Sequence, residues 1–134
     1  ARVFSFFKER NELSIRPCDL KMKLQELCWK SINVVRSGDY LEAAILELAR
    51  LKEEAANLRL SSDKSAFNRE WIETLEVCNL LEVAEMVARS ALYRKESRGA
   101  HFRSDYPLKD DRGWLKHVLI TKDKIQTIPV EKLA

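Results

Sequence analysis

Residues 94–107 read RKESRGAHFRSDYP and gather three arginines, a lysine, a histidine and two carboxylates around one glycine. Arg94 and Arg98 are four apart, the spacing that puts two side chains on one helix face. A guanidinium fork at that place can hold a carboxylate or a phosphate through two parallel hydrogen bonds. Arg103 and Asp105 follow in a short extended stretch, and Glu96 and Asp105 are potential partners within the segment. The residues therefore fit an anion site and a self-satisfied ion network equally well. Like charge from the arginines disfavours the imidazolium of His101, which leaves it a carbonyl partner or a proton carrier. The plainer reading is a helix end: Gly99 as the left-handed cap, with Arg94, Lys95 and Arg98 at the negative end of the helix dipole.

Other chemistry finds no footing in the sequence. The glycines are isolated, so neither a G-x-G-x-x-G turn nor a P-loop is present. His101 and His117 stand sixteen apart with no H-x-x-x-H spacing, which argues against a histidine-based metal site. Asp110 and Asp111 are adjacent, a placement that fits a loop or a helix cap better than paired catalytic carboxylates. Trp29, Trp71 and Trp114 read as core or interface aromatics. No complete catalytic constellation emerges.

Positioning that joint falls to long helices. With only 3 Gly and 3 Pro, the chain has few breaks, which favours helices over a many-turned β-fold. Pro17 suits a first helical turn, and Leu20, Leu24, Leu27, Cys28, Ser31, Val34 and Val35 keep a 3.6-residue rhythm up to an expected exit at Gly38. Asp39 with Glu42 predicts the cap of a second helix, whose stripe is Leu41, Ala44, Ile45, Leu48, Leu51, Ala55 and Leu58. LSSDKSAFN (60–68) is a polar loop. A third helix is expected from about Asn68 to about Glu96. Val77, Leu80, Leu81, Ala84, Val87, Ala88, Ala91 and Leu92 form its broad apolar face, which Val83 and Met86 extend. A face that wide calls for cover from two sides. After Pro107, β-branched residues about Lys116–Thr121 and Ile125–Ile128 predict a hairpin, and a lone hairpin needs a surface to join. Val3, Phe4, Phe6 and Phe7 near the start also need cover.

The expected fold is mainly α: a three-helix antiparallel, spectrin-repeat-like bundle in residues 1–107 carrying the joint, then an extended β tail in 108–134. The length of 134 residues supports one core. A net charge of +3 from 24 basic and 21 acidic residues lacks the clustered excess of a nucleic-acid binder. No apolar run reaches the roughly 20 residues of a membrane span, so direct membrane insertion is not expected. Cys18, Cys28 and Cys78 are odd in number and lack C-x-x-C spacing, which predicts reduced thiols.

The stretch NLLEVAEMVARSALYRKESRGAHFRSDYPLKDDRGWLKH (79–117) resembles the C-terminal region of the succinate dehydrogenase/fumarate reductase flavoprotein family, in its helix, its R-K-E-S-R-G-A-H joint and its D-D-x-x-W-L-K-H tail. LQELCWKSINVVRSGDYLEAAILELARLKEE (24–54) resembles the same family's preceding helices. With a first residue that is not Met, the resemblance implies a piece of a longer flavoprotein. It implies that FAD and the dicarboxylate are bound upstream, by an FAD-binding and a capping domain, and that this piece itself holds no cofactor. The implied parent reaction interconverts succinate and fumarate, with electrons leaving through an iron–sulfur subunit. The implied location is cytoplasmic, including a peripheral one on the inner face of the membrane through partner subunits. L-Aspartate oxidase, a soluble relative with a similar joint, is the alternative; an independent helical interaction module is the alternative from another class. On the flavoprotein reading, Arg94, Glu96, Arg98, Gly99, His101, Arg103 and Asp105 become candidates for docking on the neighbouring domain.

Overall fold

The computed structural model describes residues 15–60, 68–121 and 124–131. The expectation for Val3, Phe4, Phe6 and Phe7 lies outside the described residues, as does most of the 60–68 loop. Helix α1 (Pro17–Leu27), a π turn (Cys28–Ile32) and strand β1 (Val35–Arg36) lead into α2 (Gly38–Ala55) and α3 (Arg69–Tyr93). Strand β2 (Phe102–Arg103), the one-turn helix α4 (Asp111–Trp114) and strands β3 (Lys116–Ile120) and β4 (Ile125–Pro129) complete the order.

The up-down-up course of the bundle is visible in its surface ion pairs. Lys23 of α1 meets Glu54 of α2 at 2.7 Å, Lys52 of α2 meets Glu82 of α3 at 2.7 Å, and Lys21 meets Glu76 at 3.3 Å. Such exposed pairs contribute about 0–1 kcal/mol each and report geometry more than stability. The stabilising term is the core: Leu20 and Leu24 of α1, Leu41, Ala44, Leu48 and Leu51 of α2, and Val77, Leu81, Ala84, Ala88 and Ala91 of α3. Small residues on α3 let the other two helices approach it closely. Leu58 also enters the core, but beyond the end of α2, where it bridges to Ile15.

The first helix departs from its expected course. It does not run on to Gly38. The π turn at Cys28–Ile32 rotates the apolar face, so Ser31 and Ile32 are buried while Val34 and Val35 are exposed. A wider turn of this kind shifts every later side chain around the axis. The backbone then leaves the helix because a distant segment takes its hydrogen bonds: Phe102 N–H donates to Val34 O at 3.1 Å and Ser104 N–H to Arg36 O at 2.8 Å. These bonds form the parallel β1–β2 pair, with Val35 opposite Phe102 and Arg36 opposite Arg103.

Gly38 is the first residue of α2 and not a helix exit, and Ser37 replaces Asp39 as the cap, its Oγ accepting from Tyr40 N–H at 3.4 Å. Helix α3 starts as expected, with Asn68 Oδ1 accepting from Trp71 N–H at 3.0 Å. It stops at Tyr93, three residues before the expected end at Glu96. The hairpin lies within a residue of its expected bounds, with His117 opposite Ile128 and Leu119 opposite Gln126. Cover on α3 is incomplete: Leu80, Val83 and Val87 remain 42, 51 and 41% exposed. Trp29 is exposed and no part of the core, while Trp71 packs partly against it. All three cysteines are free, Cys18 exposed and Cys28 and Cys78 half-buried.

Leu81 is 1% exposed at the centre of the bundle. Leu81→Ala is expected to cost about 2–5 kcal/mol, the usual range for an emptied leucine site. The exposed Glu53→Ala is expected to stay within about 0.5 kcal/mol. Urea midpoints of the two variants check this, and equal midpoints would contradict the buried face described above.

Candidate functional site: the charged joint

Beyond Tyr93 the chain folds back on the helix end, where Arg94, Glu96, Arg98, His101, Arg103 and Asp105 each acquire a partner. Arg103 is the centre. It is 2% exposed, and its Nη1 donates to the carbonyls of Ala91, Leu92 and Arg94 at 2.8, 3.1 and 3.2 Å. The last carbonyls of a helix have no partner within it and carry the negative end of its dipole, so a guanidinium satisfies both demands at once. The other edge of the same guanidinium forks onto Asp105, with Nε to Oδ1 at 2.8 Å and Nη2 to Oδ2 at 2.6 Å. Asp105 in turn accepts from Gly38 N–H at 3.0 Å, joining the start of α2 to the end of α3. A Cβ on residue 38 would come within 3.1 Å of Asp105 Oδ2, which explains a glycine at the head of that helix. Ser97, unnoticed in the sequence, bonds both arms of the loop: its Oγ accepts from Arg103 N–H at 2.9 Å and donates to Tyr106 O at 2.8 Å.

Glu96 is the second centre and is fully buried. Arg98 forks onto it with Nε at 2.8 Å and Nη2 at 3.0 Å, the Asp110 N–H donates at 2.9 Å, and Arg94 supplies a further short contact. Arg98 also reaches Asp111 at 2.7 Å, while Arg94 donates to the carbonyls of Trp114 and Lys116 and lies 5.4 Å over the Trp114 ring. These contacts hold the β tail to the bundle. Asp110 caps α4, its Oδ1 accepting from Arg112 and Gly113 N–H at 3.0 and 2.9 Å, which is the cap role open to it in the sequence. Gly99 does take a left-handed conformation, with φ 57°. It sits in the 98–101 turn, with Arg98 N–H donating to His101 O at 2.8 Å, and not at the end of α3.

The seven sequence-predicted residues therefore do come together, with a geometry different from the one expected. Arg94 is the C-cap of α3 and Arg98 lies past the helix, so the two converge on Glu96 without sharing a helix face. Arg103 does not stand clear of the bundle; it closes the bundle's end. Arg36, also missed, donates from Nη1 to His101 Nδ1 at 2.7 Å, and His101 Nε2 lies 3.3 Å from Arg94 O. That pair of contacts fits a neutral ring that accepts at Nδ1 and donates from Nε2. Its signal was out of reach because Arg36 lies 65 residues away in sequence.

Electrostatics follow from these contacts. Burial pushes the Glu96 carboxyl up, but hydrogen bonds from Arg98, the Asp110 N–H and Arg94 outweigh it and hold it below its ordinary value. The Arg103 fork holds Asp105 down at about 2. Burial first, then the charges of Arg36, Arg103 and Arg94, push His101 below its ordinary value against the bond to Arg94 O. No buried side-chain nitrogen or oxygen lacks a partner among the described residues. The network is self-satisfied. Here Gly38 N–H is held by Asp105, Gly113 N–H by Asp110, and Gly99 lies in the 98–101 turn.

Fold and joint together define a helical domain closed at one end by an arginine–carboxylate clamp. The chain belongs to the family described as fumarate reductase flavoprotein C-term, which matches residues 21–133. It is 36% identical over 109 residues to a subunit of the fumarate reductase (CoM/CoB) of Methanothermobacter marburgensis, covering 81% of this chain and 20% of that one. It is 31% identical over 118 residues to the succinate dehydrogenase flavoprotein subunit of Rickettsia felis, covering 88% of this chain and 20% of that subunit. A quinol fumarate reductase structure from E. coli superposes with a TM-score of 0.86 at 26% identity, over 98% of this chain and 23% of that one. The chain thus spans about a fifth of the length of these relatives. They favour the dehydrogenase/reductase branch over L-aspartate oxidase.

Acid should loosen the joint in two steps. Each of the three groups has a folded-state value below its unfolded one, so the unfolded chain binds more protons as pH falls and stability is lost. Stability should be full above about pH 7 and should first erode below 6.5, where unfolded His101 protonates and the folded ring resists. It should fall again from about 3.8 toward about 2 as Asp105 is neutralised. Melting temperatures across pH check this: His101→Gln should remove the upper step, and a flat profile from pH 7 to 5 would refute it.

Proposed function

We propose that the chain is the C-terminal helical domain of an FAD-dependent flavoprotein subunit that interconverts succinate and fumarate. FAD and the dicarboxylate are bound by upstream FAD-binding and capping domains, and electrons pass to an iron–sulfur subunit. The flavoprotein lies in the cytoplasm or peripherally on the inner face of a membrane, held there by its partners. Among the described residues no helix is long and apolar enough to cross a membrane. The observation that carries this reading is the family match over residues 21–133 together with names of relatives that are flavoprotein subunits of succinate dehydrogenase and fumarate reductase. An independent interaction module has no such support.

In this reading the joint docks on the FAD-binding domain. The clamp fixes Arg94, Glu96, Arg98, Gly99, His101, Arg103 and Asp105 as one rigid unit, and its rim reaches solvent at Gly99 and Asp105. A preformed surface loses little conformational entropy on docking. The 134-residue chain by itself is expected to show no flavin absorbance and no fumarate reduction. In the full-length flavoprotein, Arg98→Ala strips Glu96 of a bidentate partner, a change of the kind that costs about 3–5 kcal/mol. Flavin-to-protein ratio and turnover should fall together. A full-length Arg98→Ala protein with undiminished flavin and turnover would sink the docking role of the joint.

A further inference from the structure

Arg36 donates to Ile32 O at 3.1 Å and to His101 Nδ1, and among the described residues no carboxylate pairs with it. Burial and the charge of Arg103 both disfavour its charged form. Arg36 stands at the head of a groove of about 330 Å³ whose other lining includes Val83, Met86 and Val87 of α3 and Val118 and Ile120 of β3. The rest of the head is Arg94, already committed to Glu96, and His101, held neutral. Leu80, Val83 and Val87 continue the apolar surface along α3 at spacings of three and four, each more than 40% exposed. The hairpin supplies only part of the second cover that this helix demands.

We infer that this groove is the seat of a segment from the upstream part of the same flavoprotein, an aliphatic segment that brings one carboxylate to Arg36. The inference rests on the flavoprotein reading above. Complementarity selects the occupant: aliphatic side chains for Val83, Val87 and Val118, and an anion for Arg36, the cation at this groove that has no carboxylate partner among the described residues. A carboxylate there would face Arg36 through a planar, bidentate geometry that lysine lacks. Supply of such a segment is ample, since relatives of this chain extend over about five times its matched length.

Site-directed thiol labelling tests it. Val83→Cys is prepared in the 134-residue chain and in the full-length flavoprotein, and modification by N-ethylmaleimide is followed peptide by peptide, because Cys18 is also exposed. Melting of the chain variant verifies its fold. Labelling at position 83 should be at least about tenfold slower in the full-length protein, as expected where access needs local opening. Equal rates would overturn the groove as a docking seat. Arg36→Gln in the full-length Val83→Cys protein should return at least about a third of the lost reactivity, whereas Arg36→Lys, which keeps the charge, should return less. Protection indifferent to both changes would overturn the carboxylate. Flavin absorbance of the unaltered full-length protein is read separately: a protein with flavin but no protection refutes the groove alone, and one without flavin refutes the flavoprotein reading.

Discussion

The guanidinium of Arg103, buried against the last carbonyls of α3 and forked onto Asp105, is the contact through which the other parts of the molecule meet. A long helix ends in carbonyls without partners, and burying them uncompensated costs on the order of 1–3 kcal/mol each. Arg103 supplies three of those partners from one side chain. Its fixed charge is compensated at once by Asp105, which reaches on to Gly38 and so ties α2 to α3 at the same end. The helix therefore stops at Tyr93 because a better set of partners is brought to its carbonyls from ten residues further on.

The second centre works in the opposite sense. Glu96 is a buried anion surrounded by donors, and its partners Arg94, Arg98 and the Asp110 backbone belong to the helix end, the joint and the tail. A buried carboxylate is costly unless each of its lone pairs is used, and here four donors use them. The hairpin gains a foundation in this way. Two short strands are marginal in water, but Arg94 bonds the carbonyls of Trp114 and Lys116 at the hairpin's root, and Val118 and Ile120 turn toward α3. The two centres have unlike charges and a common product, which is a rigid end to the bundle.

In the proposed docking role the joint acts through shape, and shape is transmitted only by a surface that does not yield. The clamp consumes its own charges, so little of it is left to bind a small anion. What it offers is a fixed arrangement of Arg36, His101 and the exposed apolar stripe of α3 beside it.

The sequence by itself determined the three long helices, the C-terminal hairpin and their order, because apolar periodicity and capping residues are local signals; the π turn, β1, β2 and α4 were not legible in it. Leu41, Ala44, Leu48 and Leu51 on α2, the start of α3 near Asn68 and a hairpin about 116–121 and 125–128 could all be read one turn at a time, each within a residue of what formed. It also marked the joint, since seven chemically able residues within twelve positions are conspicuous without any fold. Only the tertiary structure decided what they do. The pairing of Arg36 with His101, the bonds that draw β1 out of the first helix, and the burial of Arg103 all link residues from nine to 68 positions apart. Local propensity is blind to such contacts. The physical reason is that a hydrogen-bonding group is indifferent to sequence distance: Val34, Arg36 and the end of α3 took the strongest partners that folding brought within reach, and these displaced the helical bonds their own neighbours would have made.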